Sequence, residues 1–131
     1  MNTFVFLILR FAIAISMLGH GLVRLPKLGA FSQWMVGSFE KSMLPQALVI
    51  PFSYALPIAE FAVGLLLLTG LFTKPAAFAG VAVMLVLLFG TTMVENWKAI
   101  PSQLIHIVFF AILLQFLDNN SYALDKIFLN N

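Results

Sequence analysis

The 131-residue chain reads as an all-α membrane protein, a four-transmembrane-helix bundle with a short interfacial helix between spans 1 and 2. Three observations predict this. Hydrophobic residues make up 62% of the chain and charged residues 9%, whereas an ordinary soluble domain has about 45–50% and about 25%. The mean hydropathy is +1.04. Four long apolar stretches follow one another, broken by short polar segments, and the length suits one membrane domain over residues 1–131.

The first stretch, 3–23, is long enough to cross a hydrocarbon core of about 30 Å at about 1.5 Å per residue. Met1 to Val5 has no Lys or Arg, and Arg10 interrupts the apolar run, so it reads as a retained helix and not as a signal peptide. Arg24, Pro26 and Lys27 end it. In the connection from Leu28 to Ile50, Phe31, Met35 and Phe39 recur every four residues, which predicts a short helix lying in the interface. Trp34 suits that depth. The second span is expected over 51–71, with Pro51 near its start, Gly70 near its end and Pro57 kinking it. A tight Thr73-Lys74-Pro75 turn leads to the third span, 75–93. A short polar loop with Trp97 precedes the fourth, 101–117, and Asp118-Asn119-Asn120 stops it. Ser121 to Asn131 reads as a polar tail with some helical character.

With four spans, both termini share a side with Lys74 and Lys126, while Arg24, Lys27, Lys41 and Lys98 flank the other. The excess of basic residues places the long connection in the cytoplasm and the termini outside. The net charge of +2 reflects these flanking residues, and no basic cluster marks a nucleic-acid surface. There is no cysteine, which excludes disulfides, thiol chemistry and Cys-ligated metals. No metal site is predicted.

Ionisable groups inside spans are costly and mark function or a buried partner. Glu60 is the foremost. It shares a face with Ser53, Pro57 and Gly64, small or kinked positions that pack against other helices. On the first helix Arg10, Ala14, Met17, Gly21 and Arg24 form one stripe, with His20 beside it. On the fourth, Gln103 and His106 share a face. Measured from the long connection, His20 is roughly 5 Å deep, His106 roughly 8 Å and Glu60 roughly 12–14 Å. Arg10 is roughly 20 Å deep, with a long side chain that can snorkel. The polar pocket is therefore expected to hold Arg10, His20, Arg24, Glu60, Gln103 and His106, with Glu60 paired to Arg10 or His20.

The pattern of Arg10, His20-Gly21, Arg24 and Glu60, followed by the run Gly64 to Lys74, resembles the DoxX family of small four-span membrane proteins. Ser121-Tyr122-Ala123-Leu124-Asp125 is similar to that family's Ser-Leu-Asp ending, with an extra residue, and Arg24 stands where a Lys is usual. The resemblance implies a four-helix bundle in the bacterial cytoplasmic (inner) membrane. Some members are subunits of quinone-linked sulfur oxidation, which implies a quinone as cofactor and soluble or membrane oxidoreductase subunits as partners.

Three functions fit. The first is a redox-associated subunit that binds a quinone or similar head group in the polar pocket. The second is a non-catalytic anchor or assembly subunit of a larger complex, with a structural polar set. The third is a small carrier or proton pathway, which four spans suit poorly unless two copies associate as a homo-oligomer. A b-type haem between His20 and His106 is disfavoured, because two histidines in a chain of this length can be level by chance. Whether the chain is itself an enzyme does not follow from these residues.

The cysteine-free background allows a direct check of the interfacial helix. Phe31→Cys and Met35→Cys are expected to label at interfacial depth, and labelling patterns of the deep hydrocarbon at either position would overturn that assignment.

Overall fold

The computed structural model describes residues 1–128. Among the described residues all regular structure is helical. The helices are α1 (Thr3–Arg24), α2 (Leu28–Ser38), α3 (Gln46–Thr69), α4 (Thr73–Met93), α5 (Ile100–Gln115) and α6 (Leu124–Phe128). Four segments are long and apolar enough to cross a membrane: Thr3–Ser38, Gln46–Thr69, Thr73–Met93 and Trp97–Gln115. Helices α1, α3, α4 and α5 form the bundle, each packed on its neighbours, and α2 lies against α3.

Local chemistry explains most of the boundaries. Asn2 accepts a hydrogen bond from the Phe4 amide at 2.7 Å and caps α1. Pro26, in the 3-10 turn Leu25–Lys27, separates α1 from α2. Helix α3 starts at Gln46, five residues before the expected 51, so that Pro51 falls inside it with Pro57. The extra turn is held from outside, since Val49 packs with Met35 of α2 and Leu56 of α3. Gly70 ends α3 in the left-handed region at φ 74°, a conformation that glycine adopts without strain. Pro101 lies in the first turn of α5, where a missing amide costs nothing.

The apolar stripe predicted for α2 is present but faces α3. Met35 is buried, Phe31 and Phe39 pack beside it, and Trp34 is exposed. A hydrogen bond of 2.6 Å between the Ser32 and Ser53 hydroxyls ties α2 to α3.

The tail also does more than its polarity suggested. Helix α4 begins at Phe72, itself in the left-handed region, without a side-chain cap of its own. Asp125 supplies that cap. Its carboxylate accepts from the Phe72 amide at 2.6 Å and from the Thr73 amide at 2.9 Å, as a helix N-terminus favours. Residues 129–131 of the predicted tail lie outside the described residues.

The tightest packing joins α1 to α3. A Cβ at Gly21 would lie 2.6 Å from the Phe61 amide nitrogen, and one at Gly64 would collide with the Leu18 backbone. At Gly80 the Phe110 ring takes the corresponding space between α4 and α5. Gly64→Val is therefore expected to destabilise the bundle by about 2 kcal/mol or more. Gly19→Val, with open space at the added Cβ, should change stability little. Unfolding of both variants in detergent micelles checks the contrast.

Candidate functional site

The glycine contacts fix the register of α1 on α3. Gly21 meets Phe61 and Leu18 meets Gly64, so the helices run antiparallel and each step forward on one matches a step back on the other. Extended along the helices, this register puts Glu60 level with Leu22, between His20 and Arg24. Arg10 comes level with the α3–α4 turn.

Arg24 donates from Nη1 to Glu60 Oε1 at 2.7 Å. Glu60 is only 2% exposed, whereas the Arg24 side chain keeps 29% of its surface. The guanidinium also lies over the Phe31 ring, 4.6 Å from its centroid, which adds a cation–π contact from α2.

The two histidines are held in the same way. His20 Nδ1 lies 2.6 Å from the Ser16 carbonyl, and His106 Nδ1 lies 2.7 Å from the Ser102 carbonyl. A carbonyl can only accept, so each Nδ1 carries a proton and donates it. The Ser16 hydroxyl and His106 Nε2 share a hydrogen bond of 2.7 Å. The rings meet edge to face, with centroids 6.1 Å apart. Ser16 thus bonds to both rings and couples α1 to α5.

Gln103 is oriented by Thr91. The Thr91 hydroxyl donates to the Leu87 carbonyl at 2.8 Å, so its oxygen is left to accept from Gln103 Nε2 at 2.9 Å. Gln103 Oε1 is then buried without a partner.

His20, Arg24, Glu60, Gln103 and His106 line one cavity of about 190 Å³ between α1, α3, α4 and α5. Met84 and Leu87 supply apolar wall from α4. The site combines an ion pair, a free carboxylate oxygen and two imidazole rings with a greasy side, so it can both donate to and accept from a small polar group. Among the described residues no three His, Cys, Asp or Glu side chains converge as a metal site.

Arg10 is not part of this cavity, and the expected pairing of Glu60 with Arg10 or His20 is corrected to Arg24. The level of Arg10 is about 18 Å from that of Glu60 along the helix, beyond the reach of an arginine. Arg10, 2% exposed, instead donates to Asn120 Oδ1 and to the Tyr122 carbonyl, each at 2.8 Å. Asn120 in turn donates to Thr73 Oγ1 at 3.0 Å. Together with the Asp125 cap, these bonds bind the tail to the far end of the bundle. His20 spends its donor on Ser16 and makes no hydrogen bond to Glu60 among the described residues.

Sequence reasoning missed Ser16, Thr91, Asn120 and Asp125. Ser16 stands one turn before His20 on the same face, which was a readable signal. The pairing of Asn120 and Asp125 with residues about fifty positions earlier had none beyond the Ser-Leu-Asp likeness.

A double-mutant cycle tests the ion pair. Arg24→Met strands the buried Glu60 and should cost about 3 kcal/mol. Glu60→Gln should cost less, about 1–2 kcal/mol, because Arg24 is partly exposed. The double variant should recover much of the sum, and Arg10→Met should rescue neither. Losses that simply add would show that the two groups are not coupled.

Comparison with curated proteins and with solved structures returns no match. The profile of the DoxX family matches residues 5–93, which include most of α1 and all of α2, α3 and α4, with Arg10, His20, Arg24 and Glu60. The match spans more than half of the sequence, and the chain is an integral membrane protein that belongs to the DoxX family.

Proposed function

We propose that the protein is a redox-associated membrane subunit that holds the head group of a quinone or a similar molecule in the cavity at Glu60. One observation carries this reading. Six polar residues, Ser102 among them, converge from three otherwise apolar helices on a cavity of about 190 Å³, and a cavity of about 150 Å³ already accepts a benzene-sized ring.

A second feature supports it. Leu87 also lines an apolar groove of about 340 Å³ bounded by Met35, Phe39, Leu48 and Phe52. Head and chain of an amphiphile could therefore lie on the two sides of one residue. In this reading α2 lies along the membrane interface on the cytoplasmic side, and the protein works in the bacterial inner membrane with oxidoreductase subunits or with a second copy of itself.

The assembly-subunit reading has its own support, because the Arg24–Glu60 and Ser16–His106 bonds tie the helices together without any ligand. The two readings separate on binding. An alkyl quinone, offered in either redox state to the protein in lipid nanodiscs, should bind. Leu87→Trp and His106→Phe should each weaken that binding about tenfold or more. Ile8→Ala, at a position 55% exposed on the outside of α1, should leave it unchanged. Absence of binding together with a co-purifying enzyme would select the assembly role.

A further inference from the structure

We infer that the cavity selects a head group that donates a hydrogen bond to Glu60, so that the dihydroxy form of an aromatic head group binds ahead of the corresponding dione. This rests on the head-group reading above and states which form the site prefers.

The inference comes from counting donors and acceptors at the cavity wall. Glu60 is 2% exposed, and its Oε1 receives the Arg24 bond. Its Oε2 has no donor among the described residues and is not among the sealed, unpartnered atoms, so it keeps surface beside the cavity that Glu60 lines. His20 uses its Nδ1 proton on the Ser16 carbonyl, and its Nε2 has no partner among the described residues. Gln103 Oε1 is unpaired but sealed from the cavity, so it is no acceptor for a ligand there. His106 Nε2 is already served by the Ser16 hydroxyl. Glu60 Oε2 is thus an unfilled acceptor in the wall, and Arg24 has further N–H groups beside it.

A dione carries only acceptors. It can take a bond from Arg24, but it leaves the buried carboxylate oxygen without a donor, the situation that most penalises a buried polar group. A phenolic hydroxyl accepts from Arg24 and donates to Glu60 at once. A cation would also donate, but Arg24 already balances the Glu60 charge, and a second positive group beside it would be repelled. The wall therefore fits a neutral donor best.

Three probes on the unsubstituted protein in nanodiscs test this: an alkyl hydroquinone kept reduced, its benzoquinone, and its dimethoxy ether, which has the same shape but no donor. The hydroquinone should bind about tenfold or more tightly than the other two. Glu60→Gln replaces an acceptor by a group that can donate, and it should narrow or reverse the preference. If that variant does not fold, the three probes decide alone. Equal binding of the three, or tighter binding of the benzoquinone, overturns the inference while the head-group reading stands. Displacement of the hydroquinone by a simple alkylammonium ion overturns it in favour of a cationic ligand. Binding of none of the probes overturns both readings.

Discussion

Helices α1 and α3 approach so closely at Gly21 and Gly64 that backbone lies directly on backbone, with no side chain between. In a bilayer, where apolar surface gains little by leaving lipid, such contact is a main source of helix association. It also sets the register, and the register decides which polar groups can meet. A shift of one helical turn would carry Arg24 past Glu60 and leave a carboxylate at 2% exposure without its counter-charge. The polar site is in this sense a product of two glycines that take no part in it.

The rest of the bundle builds outward from that pair. Helix α5 is tied to α1 by the Ser16–His106 hydrogen bond, and it packs on α4 where Gly80 makes room for Phe110. The cavity lies among these contacts, bordered by α1 and α3 on one side and by α4 and α5 on the other.

Much of this was legible in the sequence. Apolar length alone located the four spans to within a few residues, because hydrocarbon thickness leaves little freedom. The exception is the start of α3, where Pro51 looked like a boundary; contacts between Val49 and α2 extend the helix past it. Helical periodicity also placed Gln103 and His106 on one face and identified Glu60 as the costly residue. It could not pair Glu60 correctly, since depths counted from helix ends do not contain the crossing register. Arg24 was grouped with the right stripe, but Arg10 was too, and only the packing separates them. The contacts of Asn120 and Asp125 were illegible for a different reason. Short polar side chains after a span look alike whether they face water or reach back to another turn.

The return of Asp125 to Phe72 and Thr73 bears on how the protein is made. The α3–α4 hairpin precedes in the chain the segment that carries its cap. Until residues 120–125 emerge, two backbone amides at the start of α4 and the buried Arg10 guanidinium lack their final partners. Completion of the fold therefore waits on residues 120–125, and a chain cut after α5 would lack the groups that close this end of the bundle.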